Sequence, residues 1–126
     1  MNESDWILRL WHQIDKSASQ SLLVGRERRL WDNTRVDILT LDWAIEVDWA
    51  PKWAEGIGQA LWYATVTGKK PGVCLLCKDM KKDKDHIYRC HTLCVKYDIM
   101  LWLVDTKNSI GIDQLGQRIP ITGRVD

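Results

Sequence analysis

The sequence predicts an α/β domain built on a mixed sheet of about five strands flanked by helices, in the order α-β-β-β-α-β-α-β. Three observations carry this. Apolar residues recur at spacings of three and four in three separate segments, and short alternating or continuous apolar runs lie between them. The last two strand-to-strand steps each contain a helix, which requires crossovers, so the sheet is antiparallel at its start and parallel later. With 126 residues and 45% hydrophobic composition the chain can fill one core. Residues 1–126 are therefore read as a single domain.

Residues 3 to 17 place Trp6, Ile7, Leu10, Trp11 and Ile14 on one stripe of a first helix. After Gly25, the runs RERRLW and RVDILT flank a DNT turn and form a hairpin, with Asp32 and Asn33 supplying the turn chemistry. WAIEVD is the third strand. It turns Trp43, Ile45 and Val47 to one face and Ala44, Glu46 and Asp48 to the other. Pro51 suits the first turn of a second helix, which buries Trp53, Ile57, Ala60, Leu61 and Ala64 and ends near TGKKPG. Residues 73–77 form a short buried strand, and KDMKKDKD is a loop too charged to pack. Ile87, Cys90, His91, Cys94 and Tyr97 then recur at helical spacing, and IMLWLVD is the final strand. From Thr106 onward no period is visible, and the tail is read as irregular.

A formal net charge of +1 excludes a whole-molecule cationic field, so any contact with nucleic acid rests on local patches. One patch is Arg26, Arg28, Arg29 and Arg35; the other runs through Lys69, Lys70, Lys78, Lys81, Lys82 and Lys84, and reads equally well as a solvated loop. No apolar run is long enough to span a membrane, and the acidic start MNESDWILRL is unlike a signal peptide, so the reading is a cytoplasmic protein with no membrane partner. Most of the eight Trp fall on apolar faces, where core is the default role.

Four cysteines, with His86 and His91 between them, raise the alternative of a zinc-stapled interaction domain. A three-residue offset on a strand sends Cys74 and Cys77 to opposite faces, however, and Cys90 and Cys94 share the stripe of Ile87. All four are read as reduced, buried thiols without zinc.

The acids carry more chemistry. Asp37 faces away from the core side of Val36 and Ile38, while Glu46 and Asp48 share the polar face of the next strand. Neighbouring strands bring such positions to roughly 5 Å, close enough for two carboxylates to hold one hard cation. A phosphodiester needs a cation to neutralise its charge and activate a water, and oxygen-only ligands suit Mg2+ or Mn2+.

The run RVDILTLDWAIEVDWAPKWAEGIGQALWYA resembles the PD-(D/E)XK nucleases, whose restriction-endonuclease-like core carries an Asp on its second strand and Glu-x-Lys on its third. The resemblance implies DNA as partner and Mg2+ or Mn2+ as cofactor. It gives Asp37 and Glu46, with the backbone carbonyl of Val47, the role of metal ligands. Where the family has Lys, this chain has Asp48. Some members supply the missing Lys from the following helix, where Lys52 stands; Gln59 lies seven residues on and so shares its face. The stretch Gly58, Gln59, Tyr63 is similar to junction-resolvase-like members.

Glu27 resembles an acid that some members add to the metal site early in the chain, and it also reads as a surface Glu paired with neighbouring arginines. Arg26, Arg28, Arg29, Arg35, Lys69 and Lys70 are the residues expected to grip DNA. The implied function is a metal-dependent DNA endonuclease or junction-type resolvase. The alternative is a catalytically impaired relative, marked by Asp48, that binds DNA or protein. A chain this small has little surface with which to hold a duplex, which favours a homodimer.

Overall fold

The computed structural model describes residues 1–13 and 25–125. Helix α1 (Glu3–Gln13) is followed by strands β1 (Gly25–Arg29), β2 (Arg35–Leu39) and β3 (Trp43–Trp49). Helix α2 (Trp53–Thr67), strand β4 (Lys70–Cys77), helix α3 (Lys84–Lys96) and strand β5 (Met100–Asp105) come next, and β6 (Ile110–Ile112) and β7 (Arg118–Pro120) close the chain. The seven strands among the described residues form one sheet in sequence order. Pairing is antiparallel from β1 to β3, parallel from β3 to β5, and antiparallel again to β7.

The predicted order holds through β5. Beyond it the expectation of about five strands and an irregular tail is corrected, because β6 and β7 add an antiparallel ribbon to the sheet edge. Each is only three residues long, too short for an alternating pattern to show. The first helix is seen to Gln13, and Ile14 and the rest of its predicted last turn lie outside the described residues.

The two crossovers run in one direction along the sheet, so right-handed connections put α2 and α3 on the same face. Ile57 and Ala60 of α2 and Cys90 and Cys94 of α3 pack there on Val73, Leu75, Cys77 and Leu101. Trp6 and Ile7 of α1 cover the other face, on Ile38, Ile45, Val47, Cys74, Leu76 and Val104. Val73 to Cys77 is thus buried on both faces, which is why it reads as a continuous apolar run. Cys74 and Cys77 do face opposite ways, and Cys90 and Cys94 touch at 3.9 Å between sulfurs as free thiols.

Helix α2 is entered through a 3-10 turn (Ala50–Lys52) with Pro51 in its first turn and is stopped by Gly68, whose φ of 72° few other residues adopt readily. Its buried face is Gly56, Ile57, Ala60, Tyr63 and Ala64. Leu61, predicted inside, is exposed. Tyr63 takes its place because the helix packs on Val36, Leu39 and Ala44 as well as on β4. Tyr97 and His91, predicted on the buried stripe of α3, are likewise exposed. Among the described residues no helix is long and apolar enough to cross a membrane.

Helix α1 is tied to the other end of the chain. Arg9 lies over the Trp6 ring and donates to the carbonyls of Gly123 and Ile121, while Gln13 donates to the carbonyl of Pro120 and accepts from the amide of Thr122. Ile121 is buried beneath this clamp and Ile119 is exposed. Ile121→Ala is therefore expected to cost about 2–5 kcal/mol, as for other buried aliphatic truncations, and Ile119→Ala within about 1 kcal/mol. Urea denaturation of the two variants checks this, and equal small losses would mean that the C-terminal ribbon is no part of the cooperative core.

Candidate functional site

Strand β3 pairs with β4 along all seven of its residues but with β2 only at Ile38–Ile45 and Leu39–Ala44. Continued, that register would set Asp37 opposite Glu46. Instead the ladder stops, and Asp37 Oδ2 accepts the Val47 amide at 2.8 Å, a side chain doing the work of a backbone carbonyl. In a strand the N–H and C=O of one residue point toward the same neighbour, so the Val47 carbonyl is directed into this opening too.

Glu46 and Asp48 lie on the α2 face. Both are buried, at 5% and 6% exposure, and Glu46 Oε2 and Asp48 Oδ2 have no hydrogen-bond partner. Asp48 packs against Gly56 so closely that a Cβ there would stand 2.8 Å from its Oδ2. Orphaned buried carboxylate oxygens are costly, and the cost appears in their proton affinities. Burial first, then a hydrogen bond with Asp37 and the charges of Asp37 and Asp48, hold Glu46 well above the usual carboxylate range. Asp48 is pushed up to about 7 by burial and by the charges of Glu3, Asp37 and Glu55, against a small lowering from Lys52.

Glu3 is coupled by charge to Asp37 and Asp48, which was not foreseen. It stands in the first turn of α1, and burial and then the Asp37 charge raise its pKa. In the sequence it reads as an ordinary helix-start acid, favourable to the dipole. Tyr63 faces the same acids: burial and then Glu46, Asp37 and Asp48 push its hydroxyl up to about 12. Gln59 is half-buried on α2, three residues after Gly56 and four before Tyr63, on the stripe that looks toward the acids.

Lys52 ends the 3-10 turn and is exposed. Its charge reaches Asp48 and Glu3, but among the described residues the one ion pair within 4 Å joins Arg26 to Glu27. That pair also accounts for Glu27, whose backbone is left-handed at φ 46° and whose carboxylate turns to Arg26; it reaches the centre only as a distant charge on Glu3. Of the basic residues, Arg29 and Arg35 face each other across the hairpin near its turn, at the Asp37 end of the sheet, and Arg28 lies beside them on β1. Lys69 and Lys70 sit elsewhere. Lys70 pairs with Trp43 at the far end of β3 and lies over its ring, and Lys69 donates to the Thr40 carbonyl and is pulled down by burial. These contacts place the two lysines at the opposite end of β3 from the arginines.

Among the described residues no three His, Cys, Asp or Glu side chains form a ready metal cage. The donor set nevertheless fits Mg2+ or Mn2+, which use one or two carboxylates and otherwise carbonyls, water and substrate oxygens. Asp37, Glu46 and the Val47 carbonyl offer oxygens only, and one of these, Glu46 Oε2, is buried without a partner. Compared with family models, curated proteins and solved structures, the chain matches none.

A carboxyl whose folded pKa exceeds its unfolded value binds its proton more tightly in the native state, so the proton leaves at a cost to stability as pH rises. Without divalent metal, the contribution of Asp48 to stability is expected to be fully present below the ordinary Asp range and to be lost as pH rises from about 4 to about 7. Urea midpoints in EDTA at pH 5 and pH 7.5 measure the fall. Asp48→Asn should remove much of it; an unchanged slope in that variant would show that Asp48 is not strained by its burial.

Proposed function

We propose that this chain is a metal-dependent DNA nuclease of the PD-(D/E)XK kind, with a restriction-endonuclease-like core, acting as an endonuclease or junction-type resolvase. The observation that carries the reading is the opening between β2 and β3, where Asp37 takes the place of a strand partner of Val47, while Glu46 and Asp48 on either side of Val47 each bury an oxygen without a partner. Carboxyls buried and crowded in this way resist ionising in an empty protein, and a hard cation would relieve that by favouring their charged form.

Asp37, Glu46 and the Val47 carbonyl would hold the ion. A bound Mg2+ or Mn2+ would supply charge neutralisation at the phosphate and a lowered pKa for water. Asp48 takes the place of the family's Lys and adds negative charge where a positive one is usual. Lys52, whose charge reaches Asp48, is then the cation that would stand in for that Lys. From the start of α2 a Lys can swing toward a scissile phosphate, and its exposure leaves it free to do so. Gln59 supplies a neutral amide to orient a water or a phosphate oxygen, and Tyr63 keeps its proton at neutral pH and can donate it in a hydrogen bond.

The other reading is a binding module without activity. It is favoured by Asp48 and by the lack of an ion pair to Lys52 among the described residues.

Cleavage of linear, single-stranded and branched DNA in Mg2+, Mn2+ or EDTA separates the two. Asp37→Ala and Glu46→Ala are each expected to abolish metal-dependent cleavage while the protein remains folded, and full activity in either variant would remove the assignment. Lys52→Ala should lower the cleavage rate by about a hundredfold or more with little change in DNA affinity, as for a group acting mainly in the transition state. Lys52→Arg should not fully restore the rate. A rate unchanged in Lys52→Ala would leave Lys52 an ordinary surface residue.

A further inference from the structure

The hairpin turn between β1 and β2 exposes Trp31 to 84%, far beyond what an indole in a folded domain normally shows. The next residue, Asp32, holds the turn and a second Trp together. Its Oδ1 accepts from the amide and hydroxyl of Thr34 at 3.1 and 2.6 Å, and its Oδ2 accepts the Trp62 indole N–H from α2 at 2.8 Å. Trp62 is itself 49% exposed.

One carboxylate thus pins the edge of one indole and carries the other as its chain neighbour. Among the described residues neither ring stacks on another aromatic ring or takes a cation on its face, unlike Trp6, Trp43, Trp49 and Trp102. Arg29 and Arg35, both exposed, face each other at the base of the same turn. Trp62 adjoins in sequence Tyr63, which feels the charges of Glu46, Asp37, Asp48 and Asp32 together.

We infer that Trp31 and Trp62 form a stacking platform for unpaired bases, with Arg29 and Arg35 holding the adjoining phosphates, so that the preferred substrate is DNA with single-stranded character beside the cleavage point. This rests on reading the acidic centre as a phosphodiester site. Flat, uncommitted indole faces bind any base, and the fixed cations complement the backbone of a strand whose bases are turned out. In a fully paired duplex the base faces are stacked on one another, and the platform has nothing to receive.

The test is equilibrium binding of end-labelled single-stranded DNA and of a blunt duplex of the same sequence, in EDTA, followed by cleavage of both in Mn2+. Wild-type protein should prefer the single strand. Trp31→Ala and Trp62→Ala should each weaken single-strand binding about fivefold or more and leave duplex binding nearly unchanged. Trp62→Phe keeps a ring without the N–H to Asp32 and should retain most of the affinity. Trp31 touches so little that its replacement should leave the thermal midpoint near wild type, which keeps the result interpretable if Trp62→Ala unfolds.

Single-strand affinity unchanged in Trp31→Ala, equal losses on both DNA forms, or no binding to either form would overturn the platform; the last would point instead to a protein-binding face. Cleavage that persists while the Trp variants behave as wild type would retain the nuclease and remove the platform. Trp-dependent single-strand binding without cleavage would do the reverse.

Discussion

Strand β3 is hydrogen-bonded along its whole length to β4 and along only two residues to β2, and this asymmetry governs what the molecule can do. The continuous side fixes β3 as a rigid floor, buried by α1 from one face and by α2 from the other. The interrupted side leaves main-chain groups of β3 without strand partners, and Asp37 enters the vacancy. Had the ladder continued, Val47 would have bonded to the main chain of β2 and Asp37 would not serve as its acceptor. Asp48 is buried in turn because Gly56 lets α2 settle onto it without a side chain between them.

That arrangement trades stability for readiness. Glu46 and Asp48 occupy positions where aliphatic residues would strengthen the core, and each keeps an oxygen without a partner. Proteins tolerate such groups where a ligand or a reaction uses them, and the surrounding sheet must then be firm enough to bear the strain. Here that firmness comes from the parallel centre, β3 to β5, with Val73, Leu75, Leu76 and Val104 almost wholly withdrawn from solvent.

Alternation along β3 was legible in the sequence, with Ile45 and Val47 on one face and Ala44, Glu46 and Asp48 on the other, but along β2 it was not, since Val36 packs under α2 and Ile38 under α1. The helical stripes of α1 and α3 were legible in part. What could not be read were contacts between distant segments. Glu3 looks like a helix-start acid until α1 is docked, and Lys69 looks like a phosphate ligand until its strand end is located. Leu61 and Tyr63 exchange roles because periodicity finds a helix face but not which neighbour that face meets. The ribbon of β6 and β7 escaped notice because three-residue strands containing Gly and Pro carry no pattern of their own; the existing edge of β5 supplies the template.

The clamp between α1 and the C-terminal segment joins Arg9 to Gly123, residues 114 positions apart. Closing so long a loop costs chain entropy that only the assembled sheet repays, so the apolar face of α1 gains its full cover late in folding. Any state in which β6, β7 and residues 121–123 are undocked bares that face and the edge of β5 together, and such an exposed strand edge beside an apolar surface is where one chain can pair with another.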